Sequence, residues 1–415
     1  MSGPDIDADA RRGETRLAVA KGTVAREVGW RAHQQRWRQP AQIISHWADA
    51  ERVNPRLLVH RIRGRWWRLL EELDVTLLVS REYEHLVMAL SVVDGRPRVS
   101  YLPMPHPSGL AVDLKAGVAY LASTRNPNQV FSLRPIAHGR PRLDVKASAT
   151  RGRPLVPIGS WMLPGSLYLH DLAMVGGVLH GNAVGYNAVV RIGRDGGYRT
   201  AWWPQSIETE RGPRMERNYL QLNSIAAGSD LQHSYFTASA GRIGSRRPGQ
   251  LSFPVDGTGV VFSGRTREPI VHGLTRPHSA RLFRGTIWLD NSGYGQLGVV
   301  DRGQFSVIAT LPGWTRGLCF AENVAFVGIS RVIPRYRKYA PGLDVARSQC
   351  GVCAVDVTSG ETIASLTWPS GNQLFAVEVV PRAWSEGFPF VAGARGRGAF
   401  QESLFYAFEL PEGDE

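Results

Sequence analysis

Cysteine is among the scarcest residue types in this 415-residue chain, which contains only three. A small, odd number of cysteines argues against the disulfide framework of a secreted protein. Long apolar runs are also missing, because none approaches the roughly eighteen residues that a membrane-spanning helix needs. The opening segment MSGPDIDADARRGE lacks the apolar core of a signal peptide. We therefore expect a cytoplasmic protein that does not contact a membrane.

Lysine is almost absent as well, although the chain carries a formal charge of +13. Nearly all the cations are arginines, as a GC-rich genome would produce, so their number is weak evidence for a polyanionic partner. Nucleic-acid recognition would require basic residues interleaved with exposed aromatics on one element. The compact basic run Arg335-Tyr336-Arg337-Lys338 lies in a proline-flanked segment, which is typical of a surface loop. A nucleic-acid partner is therefore not expected.

Signatures of known catalytic and cofactor sites are missing too. The sequence has no G-x-S-x-G elbow, no phosphate-binding loop, no H-E-x-x-H and no dinucleotide-binding glycine pattern. Cys350 and Cys353 form a C-x-x-C, but residues three apart on a strand face opposite sides, and no second pair completes a zinc site. We expect two half-buried strand cysteines there, and a core position for Cys319.

Glycine and proline are abundant, with 45 and 26 residues, which favours many tight turns between short strands. Residues 1–20 are polar and are expected to be disordered. Apolar residues at helical spacing from Trp66 to Leu73 predict a short helix that packs on the following domain. We therefore divide the chain into a basic N-terminal extension over residues 1–70, partly disordered with short helices, and an all-β domain over residues 71–410.

A degenerate repeat organises the all-β part. Six short strands begin with a distinctive residue, continue with a small one and then become apolar, at intervals of roughly 40 to 60 residues. Such intervals are typical of four-stranded propeller blades, whose faces are buried only against their neighbours in a closed ring. The sequence predicts a six-bladed β-propeller, although five or seven blades remain open. The strands at 75–103 and the C-terminal stretch from Pro389 are expected to share the blade that closes the ring. The six strands open at Ser108, His170, Asn223, His278, Arg316 and Phe375.

Several short motifs, in a fixed order, resemble a family of bacterial conserved hypothetical proteins that carries a domain of unknown function. The resemblance covers roughly residues 66–385, and it implies a propeller-like fold without supplying an activity. Where relatives have histidine before Leu-Asn, this chain has Gln221. The matching motifs include Leu169-His170-Asp171-Leu172, Pro277-His278-Ser279, Leu289-Asp290-Asn-Ser-Gly and Leu311-Pro-Gly-Trp-Thr-Arg-Gly-Leu.

The candidate functional residues lie where the repeated strands begin, because inner strands of a propeller start at the rim of its central funnel. His170 and His278 are predicted as catalytic residues or as ligands of a divalent metal. Arg316 is predicted to hold a carboxylate or phosphate. The alternative is that such polar strand ends only bond neighbouring blades. The remaining predicted ligand-contacting residues are Ser108 and Asn223, with Asp171 and Asp290 orienting the histidines.

Arg281 and Glu378 interrupt the small-residue positions of the inner strands and are expected to pair across the channel. Such a buried pair is more often structural, but Glu378 in a desolvated funnel is also a candidate general base.

Two functions remain open, because propellers host both enzymes and scaffolds. The first is an enzyme that acts in the funnel on a small acidic molecule or a peptide segment, by metal- or histidine-assisted lyase, isomerase or hydrolase chemistry. The second is a scaffold that binds a protein partner. An enzyme should have a polar, solvent-reached funnel with clustered histidines, and a scaffold a plugged funnel with an apolar rim patch.

Overall fold

A computed structural model describes residues 53–124, 128–138, 151–193 and 195–393, and at Arg335 it describes the backbone alone. The strands of this part of the chain form six antiparallel sheets. The expectation that residues 1–20 are disordered lies outside the described residues.

The described elements are as follows, in chain order and then by blade. Strand β1 (Arg61–Gly64) precedes helix α1 (Trp66–Glu72). The first blade has β2 (Val75–Arg81), β3 (Leu86–Val93) and β4 (Arg96–Pro103), and the second has β5 (Pro107–Asp113), β6 (Val118–Ser123), β7 (Asn128–Pro135) and β8 (Leu155–Leu163). The third has β9 (Leu169–Val175), β10 (Val178–Ala183), β11 (Ala188–Ile192) and β12 (Tyr198–Trp202), and the fourth has β13 (Leu222–Ala226), β14 (Tyr235–Ala238), β15 (Gly259–Ser263) and β16 (Pro269–Leu274). The fifth has β17 (Pro277–Phe283), β18 (Thr286–Asn291), β19 (Gln296–Asp301) and β20 (Gln304–Thr310), and the sixth has β21 (Trp314–Ala321), β22 (Val324–Ser330), β23 (Gly351–Asp356) and β24 (Thr362–Thr367). Strands β25 (Ala376–Pro381) and β26 (Phe390–Val391) return to the first blade. Short 3-10 turns span Pro55–Leu57, Glu82–Glu84, Val184–Tyr186, Gln205–Ile207, Ser292–Tyr294 and Pro334–Tyr339.

The six sheets form a closed ring, since each innermost strand contacts the innermost strands of both neighbouring blades. These strands are β25, β5, β9, β13, β17 and β21, and they begin at or beside the six predicted openings. The ring is locked by the first blade, in which β25 pairs with β2 and β26 pairs with β4. Both the blade number and the shared closing blade are therefore confirmed.

Helix α1 anchors the segment before the first blade. Trp66 and Leu70 are completely buried, and the Trp66 ring lies edge-on to Phe326 at 5.9 Å between centroids. This confirms the predicted packing helix. The ring begins earlier than residue 71, however, because β1 pairs with β24 on the outer edge of the sixth blade. All four residues of β1 are exposed, so no buried face marks this four-residue segment as a strand.

The inner strands bend where they begin. The register between inner and second strands shifts near the openings of blades two to six. Gly317 shows why a small residue is needed there: its φ is +93°, and a Cβ would lie 2.8 Å from the Val377 side chain. A β-bulge of this kind re-aims side chains, and here the opening residues lie at the axis.

The apolar core lies between blades. One cluster joins the sixth and first blades around Phe326, Trp368 and Met88. Cys350 belongs to this cluster, whereas Cys353 belongs to the cluster between the fifth and sixth blades. The two cysteines therefore face opposite sides, as expected. No helix in the described ranges is long and apolar enough to cross a membrane.

Candidate functional site

A polar funnel opens at the end of the ring where the inner strands begin. It encloses about 350 Å³ and narrows to a neck of about 10 Å³. Four of the six predicted opening residues lie where the funnel meets the neck: His170, His278, Arg316 and Phe375. The structure thus brings together the two predicted histidines and Arg316, which we call the anion clamp because it is predicted to hold a carboxylate or phosphate.

The protonation state of His278 follows from its contacts. Its Nδ1 lies 2.7 Å from the Arg276 carbonyl oxygen and 3.1 Å from Ser292 Oγ. A carbonyl oxygen only accepts hydrogen bonds, so Nδ1 carries the proton and Nε2 keeps its lone pair. Burial lowers the pKa of His278 well below its usual range, and the nearby Arg316, Arg276 and His170 add to this effect. His278 is therefore neutral at pH 7, with Nε2 as a base.

Arg316 lies flat on an aromatic ring. Its guanidinium carbon is 3.3 Å from the centroid of Phe375, the opening residue of the next blade. Nη1 donates to the Gln373 side-chain oxygen at 3.1 Å, and the Gln373 amide nitrogen donates to Glu82 at 3.1 Å. Burial lowers the pKa of Arg316 below its ordinary value, although arginine stays protonated. Stacking and hydrogen bonding hold this cation in one orientation.

A second arginine, which the sequence reasoning missed, lies on the funnel wall. Arg276 packs on Tyr339, with its guanidinium carbon 4.2 Å from the ring centroid. Its Nη1 donates to Gln221 at 2.8 Å and to Ser239 at 3.1 Å. Gln221 thus positions this cation.

The residues that precede the strand openings share an unusual backbone conformation, which the sequence analysis did not identify. The residue two places before the opening has a left-handed φ in four blades, and three of these side chains line the funnel. Left-handed non-glycine residues are uncommon and often functional. The four residues are His106, Tyr168, Gln221 and Arg276.

The basic run 335–338 does not behave as a simple surface loop. Tyr336 reaches the funnel, where its hydroxyl lies 2.7 Å from the hydroxyl of Tyr83. Arg337 is exposed, as expected, and Lys338 donates to the Gln250 carbonyl at 2.8 Å. The loop after β22 therefore forms part of the funnel wall.

Two other opening residues are tied into the ring. Ser108 is fully buried and its hydroxyl donates to the Leu169 carbonyl at 3.0 Å, outside the funnel. Asn223 lines the neck, and its Nδ2 donates to Pro277 O at 2.9 Å and to Ser239 Oγ at 3.1 Å. Ser108 thus joins two blades, whereas Asn223 joins blades and also borders the neck.

The expected pairing of Arg281 with Glu378 is wrong. Arg281 instead forms a two-point ion pair with Asp171, at 2.9 and 3.2 Å, because Asp171 projects from the third blade towards the same part of the channel. Asp171 also accepts from the backbone N–H groups of Leu172 and Ile225, so it does not orient a histidine. Glu378 lies deeper than the funnel, and burial raises its pKa to about 7, although Arg281 opposes the rise.

Asp290 does not orient a histidine either. It faces His278 in the strand register, yet the contacts of His278 Nδ1 are Arg276 and Ser292. The Asp290 carboxyl is fully buried, and burial raises its pKa well above the usual range. Burial therefore favours the uncharged form of Asp290, which lies behind the inner strand.

The predicted metal pair gains no further ligand. No group of three or more His, Cys, Asp or Glu side chains in the described part of the chain is arranged to hold a metal ion. Arg276 and Arg316 place positive charge beside His278, which disfavours a cation there. The site's charges suit an anion instead.

Comparison with solved structures finds propellers at low similarity. A chain of a nidogen/laminin complex matches with a TM-score of 0.49 and 10% identity, covering 74% of this chain and 98% of that one. A gluconolactonase from Xanthomonas campestris matches with a TM-score of 0.42 and 12% identity, covering 72% and 86%. A streptogramin B lyase matches with a TM-score of 0.36 and 14% identity, covering 61% and 72%. No curated protein sequence matches the chain.

The family comparison agrees with the resemblance seen in the motifs. The matching family model covers residues 64–386, from the last residue of β1 to the segment before β26. The chain therefore belongs to the family described as "Domain of unknown function (DUF4915)".

Proposed function

We propose that the protein is an enzyme that binds a small anionic molecule in the funnel and uses His278 as a general base. One observation carries the proposal: a neutral imidazole that is protonated on Nδ1 lines a polar cavity together with two guanidinium groups, each held by its own contacts. Arg316 and Arg276 are the cations, and both are close enough to His278 to lower its pKa. This arrangement pairs an anion clamp with a base.

Charge balance supports an anionic ligand. Arg247, Arg276 and Arg316 line the funnel, whereas Glu82 is its only carboxylate among the described lining residues. A bound carboxylate or phosphate would satisfy guanidinium donors through the bidentate geometry that arginine favours. It would also offset the positive field that holds the pKa of His278 down, so ligand binding would make this imidazole a stronger base.

The scaffold alternative fits the observations less well. The funnel is open and polar, and its histidines cluster, which are the features expected of an enzyme. Leu251 is 91% exposed, and Tyr168 is 37% exposed on the wall of the polar funnel. Single exposed apolar residues are normal on soluble proteins.

The test uses inorganic phosphate as the probe, with calorimetry to measure its affinity. Arg316→Gln and Arg276→Gln should each weaken phosphate binding at least tenfold, since each removes one cation from the clamp. Arg61→Gln is the matched control, because Arg61 is exposed on β1 at the outer edge of the ring. Equal phosphate affinity in all four proteins, or no phosphate binding by the wild type, would reject the proposal.

A further inference from the structure

The neck below the funnel has the size and the polar atoms of a site for one water molecule. It encloses about 10 Å³, and about 10 to 15 Å³ of such volume is needed to hold one water. It is lined by the ends of inner strands from five blades, including Asn223, His278 and Arg316. A water site also needs two to four polar partners, which these side chains supply.

The hydrogen bonds that Asn223 and His278 make to neighbouring residues identify which of their atoms are acceptors for this water. Asn223 is 2% exposed and its Nδ2 donates to the Pro277 carbonyl oxygen, which fixes the orientation of the amide. Its Oδ1 is buried and has no hydrogen-bond partner among the described residues. His278 uses Nδ1 to donate to Arg276, so its Nε2 is an acceptor. Both acceptors belong to side chains that line the neck.

The donor comes from the anion clamp. Arg316 is 9% exposed, and its Nη1 is engaged with Gln373. Its Nη2 is buried without a hydrogen-bond partner in the described part of the chain. An unpaired buried donor and an unpaired buried acceptor are each destabilising, and one water molecule relieves both.

We propose that Asn223, His278 and Arg316 hold a nucleophilic water in the neck, so that the funnel hydrolyses an ester whose acid or alcohol part carries an anionic group. This inference rests on the proposed function. The water donates to Asn223 Oδ1 and to His278 Nε2 and accepts from Arg316 Nη2. Its remaining lone pair is free to attack a substrate held in the funnel above. The anionic group of the ester binds the arginines.

The chemical step is a balanced acyl transfer to water. The water oxygen forms a bond to the ester carbonyl carbon, its proton passes to His278 Nε2, and the carbonyl π pair moves to oxygen. On collapse the bond to the leaving oxygen breaks, and the imidazolium returns the proton to that oxygen. The products are an acid and an alcohol. A weakly basic imidazole suits an ester better than an amide, because an ester has the better leaving group.

The experiment compares two chromogenic esters of similar length. The 4-nitrophenyl half-ester of adipic acid is anionic, and 4-nitrophenyl hexanoate is neutral. The wild type and Arg61→Gln should hydrolyse the half-ester at least tenfold faster than the hexanoate. Asn223→Leu keeps the branching at Cγ but removes the acceptor, so kcat for the half-ester should fall at least a hundredfold while phosphate affinity is unchanged.

A crystal structure of the wild type provides a measurement that does not depend on a variant's folding. We expect an ordered water within hydrogen-bond distance of Asn223 Oδ1 and His278 Nε2. A neck without that water, full activity in Asn223→Leu, or no half-ester hydrolysis by a wild type that binds phosphate would overturn the hydrolysis inference and leave the anion site standing. Failure of the wild type to bind phosphate would instead remove the proposed function.

Discussion

The Arg281 guanidinium binds both carboxylate oxygens of Asp171, which projects from an inner strand two blades away. The same carboxylate accepts from the backbone N–H of Ile225 in the intervening blade at 3.0 Å. Burial alone would lower the pKa of Arg281, but the Asp171 carboxylate more than offsets this, so the net shift is upward. One ion pair therefore ties three consecutive blades together around the channel.

The first prediction concerns this ion pair. Asp171→Asn removes the carboxylate that pairs directly with Arg281, which costs about 3 to 5 kcal/mol when one partner of a buried pair is removed. The double variant Asp171→Asn/Arg281→Met should recover part of that loss. Chemical unfolding of the two variants and the wild type measures it. A double variant that is less stable than Asp171→Asn alone would contradict a purely structural role for Arg281.

The second prediction concerns the bend at the start of the sixth inner strand. Gly317→Ala forces a Cβ against Val377 at a left-handed φ, so both strain and steric overlap should destabilise the ring, by about 2 kcal/mol or more. Gly285→Ala is the control, because its φ is +77° and a Cβ there meets nothing within 4 Å. Equal losses of thermal stability in the two variants would mean that close packing at Gly317 is unimportant.

Much of the architecture could be predicted from the sequence, because the repeat reflects a packing requirement of the inner strands. Each inner strand needs a small residue after its opening, and this pattern alone gave six blades and the closing one. The pairing of Arg281 could not be read in the same way, because two carboxylates, Asp171 and Glu378, lie near it and only the three-dimensional ring distinguishes them. The sequence pattern cannot tell which inner-strand side chains meet across a channel.

The same repeat explains why only part of the site could be predicted from the sequence. His170, His278 and Arg316 share a strand position, so the ring brings them together. Arg276 lies on a left-handed turn and Tyr336 lies on a loop. In such segments the strand period does not predict where a side chain points. A left-handed residue lies two places before four of the six openings, and the strand repeat does not encode that backbone conformation.

The third prediction concerns Glu378, whose pKa is raised to about 7 by burial. The native state holds a proton that the unfolded chain releases above pH 4.5, so this contribution to stability is full at low pH and is lost as pH rises through about 7. Glu378→Gln lacks this dependence. Its stability relative to the wild type should therefore increase from pH 5 to pH 8, by about 2 kcal/mol.

Unfolding midpoints measured across that pH range test the idea. Glu361→Gln, which changes an exposed carboxylate just before β24 of the sixth blade, is the matched control and should show no such trend. A stability difference between Glu378→Gln and the wild type that does not vary with pH would show that Glu378 titrates at an ordinary pH.

The fourth prediction concerns the pH dependence of hydrolysis. His278 acts as a base only when neutral, and its pKa in the free protein lies well below 6.5, through burial first and then the charges of Arg316, Arg276 and His170. The value of kcat/KM for the adipate half-ester should therefore be flat from pH 6.5 to 8 and fall only below that range. A midpoint at or above pH 6.5 would contradict the assignment of His278.

The most direct test of the central claim is an NMR titration of the two ¹⁵N ring resonances of His278. These resonances are identified by their loss in His278→Gln. Their positions are then followed over pH, with and without inorganic phosphate. The account predicts a neutral imidazole protonated on Nδ1 at pH 7, with a pKa well below 6.5 that rises when phosphate binds between Arg276 and Arg316. Protonation on Nε2, or a pKa that phosphate leaves unchanged, would contradict it.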